Sequence, residues 1–592
     1  MSMTRREFLQ ALAVASASGF YLSGCDKGAD QTAKSGAAGQ PSNPYELPKF
    51  GNVSFLHYTD CHAQLNPVYF REPSVNLGIG SMRGNPPHLV GEYFLKHYNI
   101  QAGTRDAHAF TYIDFTELAH KYGQLGGFAH LATLVKNIKA QRPGSLLLDG
   151  GDTWQGSGTA LWTDAQDMVD AQIQLGVDVM TAHWEFTYGS QRVKDILDTQ
   201  LKGKIDFVAQ NVFDNTWGDR VFEPFTMREI NGVPCAIIGQ AFPYTPIANP
   251  RWMIPDWSFG IHPDSMQKVV DQARSKGAQV VVVLSHNGMD VDLKMASHVT
   301  GIDAICGGHT HDAVPTAVEV TNAGGKTLVT NAGSNAKFLG VLDFDVKNGK
   351  VAGYKYHLLP VFSNLIEPDK DMQALIDRVH NTEIEYEGQK FTPKDKYAEQ
   401  LATTSDLLYR RGNFNGTFDQ VICDGLMQEM DAEIALSPGF RWGVSVLPGE
   451  AITMEHVMTQ TAITYPTAYR REMSGQQIKA VLEDVADNLF NDDPYYQQGG
   501  DMVRTGGLGY SITPANKIGS RINDMTLKGK PIDPNKNYVV AGWAVVGEEL
   551  KGTPVWDVVA NHLRNIKEVK SVEPNVPVIK GQDGNPGMPA SA

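Results

Sequence analysis

Short apolar runs alternate with glycine-rich turns and helical stretches from Val53 to about Phe362. Their short length is typical of buried strands, whereas helices need longer amphipathic stretches. Strands that alternate with helices predict a layered α/β domain. The runs are Val53–Tyr58, Leu146–Leu148, Val177–Met180, Phe207–Ala209, Cys235–Gly239, Val280–Leu284 and Ile302–Cys306.

The segments around these runs predict the remaining organisation. Leu65–Gly126 is rich in Pro, Gly and aromatic residues and indicates a long insertion rather than a domain. Lys370–Lys390 is charged with helical spacing and predicts a connecting helix. The tail is rich in Pro and Gly and is expected to be frayed. The expected units are a catalytic α/β domain (49–365), the linker helix (366–395), a second α/β domain (396–580) and the tail (581–592).

The N-terminus carries a twin-arginine pattern, Thr4-Arg5-Arg6-Glu7-Phe8-Leu9. The apolar run that follows, Ala11 to Leu22, is too short and too rich in Ala and Ser to span a membrane stably. Residues 1–25 therefore predict an export signal, and the polar residues 26–48 a flexible tether. The expected location is the periplasm, reached in the folded state.

Leu22-Ser23-Gly24-Cys25 resembles a lipoprotein processing box. Two outcomes are open: acylation of Cys25, which would anchor the protein at the membrane surface, or simple cleavage at a nearby small residue. The other cysteines show no CxxC spacing and are expected to be small buried residues.

The formal net charge of −15 argues against general nucleic-acid binding, which needs basic stripes to neutralise phosphates. It does not exclude an anionic substrate, because bound metal ions can invert the local field.

Potential metal ligands follow five of the predicted strands. In open α/β sheets, sites assemble just outside the carboxyl ends of the strands. Five histidines and two aspartates suit two divalent ions, and one carboxylate can bridge them. The candidate ligands are Asp60, His62, Asp152, His183, His286, His309 and His311.

The ordered motifs resemble the metallophosphoesterase superfamily, in the branch that contains periplasmic 5′-nucleotidases. The counterparts are Asp60-Cys61-His62, Gly151–Gly156, His183–Thr187, Ser285-His286 and Gly307–His311. The resemblance implies a catalytic domain followed by a C-terminal substrate domain. It also implies one ion on Asp60, His62, Asp152 and His311, and a second ion on Asp152, His183, His286 and His309.

One motif departs from the nucleotidase pattern Asn-His-Glu-Phe-Asp. His183 replaces the Asn ligand, and Trp184 and Thr187 replace the family's catalytic His–Asp pair. That pair assists the departure of a strongly basic alkoxide. Its loss implies either a weaker enzyme or a leaving group that needs no help.

The chain is similar in these departures to the thiosulfohydrolases of the bacterial Sox thiosulfate-oxidation system. The similarity includes His183–Thr187, the insertion beginning Gln64–Glu72, and Gly499–Arg504. It implies a hydrolase in which a metal-bridging hydroxide releases sulfate from a cysteine-bound S-thiosulfonate. The substrate would be the C-terminal cysteine arm of a sulfur-carrier protein. The expected cofactor is two Mn²⁺, with Zn²⁺ as the alternative.

Ser437–Arg441 aligns with the nucleotidase stretch whose arginine meets the phosphate. Arg441 is therefore the first candidate to hold the sulfonate, because its planar fork suits an anionic oxygen pair. Arg411, Tyr465 and Arg504 are further substrate-binding candidates, each with a structural role as the alternative.

Two other functions stay open at this point. One is a periplasmic 5′-nucleotidase or cyclic-nucleotide phosphodiesterase with altered chemistry. The other is a metal-bearing binding or carrier module without activity, which the retention of all seven ligands disfavours.

Overall fold

A computed structural model describes residues 44–590, and those from Leu47 onward form one compact unit. The predicted export signal, Cys25 and most of the predicted tether lie outside the described residues. Within the described part, no helix has both the length and the apolar character needed to cross a bilayer.

Two six-stranded sheets form the N-terminal domain. The first sheet, in spatial order, contains Lys350–Pro360, Phe338–Lys347, Val53–Tyr58, Leu146–Asp149, Val179–Met180 and Asp206–Phe207. The second contains Val318–Asn322, Gly325–Asn331, Ala304–Gly307, Val280–Ser285, Val233–Gln240 and Phe225–Ile230. In the second sheet the central strands are parallel and both edge strands are antiparallel to their neighbours. In the first sheet the strands from Val53–Tyr58 to Asp206–Phe207 are parallel, and Phe338–Lys347 and Lys350–Pro360 pair antiparallel at one edge.

The two sheets face each other across one apolar core. Phe55 and Leu148 from the first sheet and Val282 and Leu284 from the second belong to it, and all four are buried. The opposite face of the second sheet packs on helices through Val281 and its neighbours. Strands that are covered on both faces are apolar along their whole length, which is why the runs were recognisable. The layered α/β prediction is confirmed.

Helices and short elements complete the N-terminal domain. Its α-helices are Gly91–Tyr98, Arg105–Phe110, Phe115–Tyr122, Phe128–Gln141, Gly158–Trp162, Gln166–Leu175, Ser190–Asp195, Thr245–Ala248, Pro263–Ser275 and Met289–His298. A π-helical turn spans Ile196–Leu201, and 3₁₀ turns span Gly80–Met82, Trp184–Tyr188 and Arg251–Met253. Two small strand pairs join Pro67–Val68 to Leu125–Gly126 and Val212–Asp214 to Trp257–Phe259.

The C-terminal domain contains three smaller sheets. They consist of Ala451–Thr453, Gln400–Thr404 and Glu568–Val569; of Ala468–Ser474, Asn537–Trp543, Ile434–Ser437 and Arg504–Gly506; and of Lys530–Pro531, Ile522–Leu527, Leu508–Ile512 and Val578–Ile579. The helices are Thr417–Glu429, Met454–Thr461, Gly475–Phe490 and Val555–Ile566, with a 3₁₀ turn at Pro494–Tyr496.

The connecting helix is shorter than predicted. It spans Lys370–Asn381 and is followed by a hairpin, Ile384–Tyr386 with Gln389–Phe391, and by the short helix Pro393–Tyr397. The hairpin turn lies at Glu387-Gly388, where both residues have positive φ. This turn outweighs the charged, helix-like spacing of the surrounding residues.

The prediction of a frayed tail is wrong for residues 582–588. Asn585 is buried and donates from Nδ2 to the carbonyl of Gly78 at 3.1 Å. The backbone carbonyls of Pro586 and Gly587 accept hydrogen bonds from Val90 and Asn76. The tail is ordered because the insertion supplies partners for its polar groups.

Candidate metal centre

The loops after five central strands bring the seven predicted side chains together. Their ligand atoms form two groups, each within 4.8 Å, and all seven residues are buried. Asp152 belongs to both groups. The groups are Asp60, His62, Asp152 and His311, and Asp152, His183, His286 and His309.

Five of the seven residues have left-handed backbone conformations, which are costly for residues other than glycine. Strain of this kind persists where the surrounding fold over-determines it, and it clusters at functional sites. The φ angles are 52° at Asp60, 47° at His62, 58° at Asp152, 71° at His309 and 58° at His311.

The Asp152 carboxylate lies between the two groups. Its Oδ2 is 3.0 Å from Nε2 of His286, 3.3 Å from Nδ1 of His183 and 3.6 Å from Nε2 of His62. Its Oδ1 accepts a hydrogen bond from the backbone N–H of Trp184 at 2.9 Å. This position is the one that a bridging carboxylate needs.

Asp60 occupies the middle of the first group. Its Oδ1 is 3.2 Å from Nε2 of His311, and its carboxylate accepts the backbone N–H of His309 at 3.0 Å. The Nε2 atoms of His62 and His311 face each other at 3.1 Å. Nε2 of His311 lies beside the Asp60 carboxylate and Nε2 of His62 beside the Asp152 carboxylate, so these four donors could hold one cation.

Backbone carbonyls orient three of the imidazoles. His286 pairs through Nδ1 with the carbonyl of Gly150 at 2.6 Å, and His62 through Nδ1 with that of Gln155 at 3.2 Å. His309 pairs through Nε2 with the carbonyl of Gln498 at 2.9 Å, a contact from the C-terminal domain. Because a carbonyl accepts only, each paired nitrogen carries the proton, and the other nitrogen can face the site.

Glu185 supports the loops beneath the site. It is fully buried, and its carboxylate accepts the backbone N–H groups of Thr153 at 2.6 Å, His183 at 2.8 Å and Asp152 at 3.3 Å. Burial, with the nearby Asp152 charge, raises the pKa of Glu185 to about 7. The side chain thereby holds two candidate ligands in place.

Burial determines the protonation state of four of the five histidines among the candidate ligands. It lowers the pKa of four imidazoles, which favours their neutral, metal-binding form. These four are His62, His183, His309 and His311. Nε2 of His183 is buried and finds no hydrogen-bond partner among the described residues.

His286 and Asp152 behave differently. Burial opposes a charge on His286, but the carboxylates of Asp152 and Asp60 raise its pKa to about 10. Burial likewise works against the Asp152 carboxylate, yet His183 and His286 hold its pKa well below the ordinary value. A cation at this point would replace the His286 proton, so the donor set fits two divalent ions.

Aromatic side chains form much of a pocket of about 110 Å³, which five of the seven candidate ligands line. Trp442 stacks on the ring of His62 with centroids 5.1 Å apart, and Phe440 stacks on Trp442 at 4.2 Å. Trp184 meets Trp442 edge-on, and Phe242 packs against His309. Nε1 of Trp442 is buried without a hydrogen-bond partner among the described residues.

Arg441 lies in the wall of this pocket and is buried. One guanidinium nitrogen donates to the carbonyl of His309, and another donates to that of Gly500 at 3.0 Å. Its charge therefore stands directly beside the second group of candidate ligands.

The three further substrate-binding candidates do not line the pocket. Arg411 is buried and donates to the carbonyl of Thr310 at 2.9 Å. Arg504 is fully buried and pairs with Asp501 at 2.9 Å. Tyr465 is buried beside Asn249, which donates to its hydroxyl at 3.3 Å. Their roles in binding stay predictions.

Several residues that line the pocket or support the site were not identified from the sequence. Phe440 and Trp442 flank Arg441, so the motif that indicated the arginine could have indicated them. Glu185 belongs to the His183–Thr187 motif that was already singled out. Phe242 follows the strand Val233–Gln240, a carboxyl-end position like those of the ligands.

Comparison with known proteins supports the same arrangement. Residues 400–557 match the family model of the 5′-nucleotidase C-terminal domain. Protein UshA of Yersinia enterocolitica is 23% identical over 463 residues, which cover 70% of this chain and 80% of UshA. The 5′-nucleotidase precursor of Thermus thermophilus shares the fold, with 21% identity and a TM-score of 0.69 over 89% of this chain and 99% of that chain.

A further solved structure is the sulfate thiohydrolase SoxB of Thermus thermophilus in complex with glycerol. It is 35% identical to this chain, with a TM-score of 0.84, and the match covers 91% of this chain and 98% of SoxB. The chain therefore belongs to the family of the sulfate thiohydrolase SoxB, within the 5′-nucleotidase branch of the metallophosphoesterase superfamily.

Proposed function

We propose that this hydrolase releases sulfate from a cysteine-bound S-thiosulfonate on a periplasmic carrier protein. One observation carries the proposal. Apart from the seven candidate ligands, the described residues that line the pocket include no Asp, Glu, His, Cys, Lys or Tyr. The pocket therefore offers no general acid once the histidines are engaged by metal ions.

A leaving group that needs no proton fits such a pocket. The water oxygen would bond to the sulfonate sulfur, and the bond from that sulfur to the carrier's sulfur would break. The electron pair would leave on the carrier's sulfur, which is far less basic than an alkoxide, since a free cysteine thiol has a pKa of about 8.5. Sulfate and a sulfur anion on the carrier would be the products, and the two protons of the water would pass to solvent.

The seven side chains would hold the cofactor, with Asp152 shared between the two ions. Two bound divalent ions would supply a water nucleophile at neutral pH and neutralise the charge on the sulfonate oxygens. We propose Mn²⁺ in both positions, with Zn²⁺ as the alternative. Protein folded before export would acquire its metal in the cytoplasm, where availability can outweigh the affinity of histidines for Zn²⁺.

The remaining pocket residues would orient the substrate. Arg441 would hold the sulfonate through its charge and its remaining N–H groups, since only two of its donors contact carbonyls of described residues. The unpartnered Nε1–H of Trp442 would donate to the substrate. The aromatic rings of Trp184, Phe242 and Phe440 would exclude bulk water, which strengthens these interactions.

The competing function is hydrolysis of nucleotides, which the match to the 5′-nucleotidase C-terminal domain favours. Nucleotidases stack the base between aromatic rings. Here Tyr465, near one of those positions, is 8% exposed and does not line the pocket. This burial supports the sulfur substrate over the nucleotide.

Location and partner belong to the same proposal. The twin-arginine pattern supports folded export to the periplasm, and Cys25 would add a lipid anchor if it is acylated. The partner would be a sulfur carrier with a C-terminal cysteine arm, and no nucleic acid is expected to bind.

The test is sulfate release by manganese-loaded protein from a peptide whose C-terminal cysteine carries an S-thiosulfonate. AMP is assayed in parallel for phosphate release. Sulfate with little phosphate is expected for the wild type, and an Asp152→Asn variant should release neither. A Trp184→His variant, which restores a potential acid, should gain phosphate release. Phosphate without sulfate from the wild type would refute the proposal.

A further inference from the structure

One buried carboxyl outside the ligand set lies beneath two of the loops that carry candidate ligands. Asp292 is fully buried on the helix Met289–His298, which begins three residues after His286. It belongs to neither of the two converging groups of ligand atoms. A buried carboxyl is costly unless it is hydrogen-bonded, so its contacts indicate why it stands there.

Asp292 is bonded to both sequence neighbours of His286. The hydroxyl of Ser285 donates to Oδ1 of Asp292 at 2.7 Å, and Nδ2 of Asn287 donates to the same oxygen at 3.0 Å. The backbone N–H of Asn287 also donates to Oγ of Ser285 at 3.2 Å, and both residues are buried. One carboxylate oxygen therefore fixes the turn on either side of this candidate ligand.

The other oxygen of Asp292 faces the loop that carries His309. A Cβ on Gly307 would lie 2.7 Å from Oδ2 of Asp292, so the carboxyl packs directly against the Gly307 backbone. The same helix adds a backbone contact, in which the N–H of Met289 donates to Oγ1 of Thr310 at 3.1 Å. The helix that carries Asp292 therefore supports a second ligand loop.

Glu185 plays a comparable part elsewhere in the site. It is a buried carboxyl that is not a candidate ligand, and it accepts the backbone N–H groups of Asp152 and His183. The other two ligands of that group lie on the loops beside Asp292. Two buried carboxyls thus support all four ligands of the second group.

We propose that Asp292 is a positioning residue for the metal ion of the second group. It fixes the loops of His286 and His309 in advance, so that binding of the ion does not have to order them. Residues that support metal ligands in this way typically contribute about 10- to 100-fold to metal affinity. The proposal rests on the two-metal site alone and holds whether the substrate is an S-thiosulfonate or a nucleotide.

The test is binding of Mn²⁺ to the full-length protein, which is dialysed at a series of buffered free Mn²⁺ concentrations and analysed for bound metal. The wild type should bind two ions. Asp292→Ala should bind one of them about tenfold more weakly or worse. At intermediate Mn²⁺ concentrations this variant should show the EPR spectrum of isolated Mn²⁺ in place of that of a spin-coupled pair.

Two further variants separate position from charge. Asp292→Asn keeps an oxygen that can accept both hydrogen bonds, and it should bind both ions with close to wild-type affinity. Ser285→Ala removes one of the two hydrogen bonds and should weaken the same ion to a smaller extent. It keeps the test available if Asp292→Ala does not fold. An equal loss of affinity in Asp292→Asn and Asp292→Ala would show that the charge acts, and would overturn the positioning role.

The matched control is Met266→Ala. Met266 is fully buried in the same apolar layer as Met289, but on the helix Pro263–Ser275, which carries no candidate ligand. This variant should unfold at a lower urea concentration and still bind two ions. A comparable loss of Mn²⁺ in Met266→Ala would mean general destabilisation and would overturn the proposal. Wild-type Mn²⁺ affinity in Asp292→Ala would do the same.

Discussion

The indole ring of Trp184 lies parallel to the phenol ring of Tyr465, with 6° between the planes and 6.0 Å between the centroids. Trp184 belongs to the N-terminal domain and Tyr465 to the C-terminal domain, and both are buried. The aromatic contact therefore joins the two domains next to the pocket that Trp184 lines.

Replacing Trp184 with alanine should remove this contact and leave a cavity. We expect the free energy of unfolding to fall by about 3–5 kcal/mol, as for other buried aromatic residues. Urea denaturation measures the loss. The control is Trp217→Ala, because Trp217 is 81% exposed and should cost less than about 0.5 kcal/mol. Similar losses at both positions would contradict the packing described here.

Metal content should depend on which group of ligands is altered. Asp152→Asn should lose both ions because Asp152 belongs to both groups. His309→Ala and His311→Ala should each lose about one ion, since each belongs to a single group. Elemental analysis of the purified proteins gives the stoichiometry, and His97→Ala, an exposed position, should keep the wild-type value. Full loading of Asp152→Asn would refute the bridging role.

Because of the Asp167 carboxyl, the free energy of unfolding should decrease as the pH rises from 4 to 6. Burial raises its pKa to about 6, and its Oδ2 has no hydrogen-bond partner among the described residues. In that range the folded chain holds the proton and the unfolded chain has lost it, so unfolding becomes easier as the pH rises.

The Asp167→Asn variant should lack this contribution. The difference in unfolding free energy between wild type and variant should change by about 2–3 kcal/mol between pH 4 and pH 8. Urea denaturation at several pH values gives the comparison and removes the effect of other titrating groups. A pH-independent difference would show that the pKa of Asp167 is the same in the folded and unfolded states.

The hydrogen bond from Asn585 of the tail to the insertion should contribute about 1–2 kcal/mol to the free energy of unfolding. Asn585→Ala removes the hydrogen bond to the Gly78 carbonyl. Hydrogen exchange should then accelerate in residues 76–90, while Asn516→Ala, on an exposed turn, should leave that segment unchanged. Unaltered exchange in Asn585→Ala would mean that the insertion does not need the tail.

Strands and ligands could be predicted because their signals are local. Val280–Ser285 is apolar throughout, and His286 follows it directly, so strand and candidate ligand appear in one short segment. The stacking of Trp442 on His62 has no such signal, because the two residues are distant in sequence and meet only when the domains pack. Docking of the tail on residues 76–90 was missed for the same reason.

The left-handed backbone at five candidate ligands bears on how the protein selects its metal. Gly308 shows how little the loops can relax, since a Cβ there would lie 2.9 Å from an Asp60 carboxylate oxygen and 2.4 Å from Oγ1 of Thr59. A site that the fold shapes in advance cannot adjust its radius to the ion that arrives. Discrimination between metal ions would then depend on how well each ion tolerates a fixed geometry. It would also depend on which ion is present when the two sheets pack together during folding.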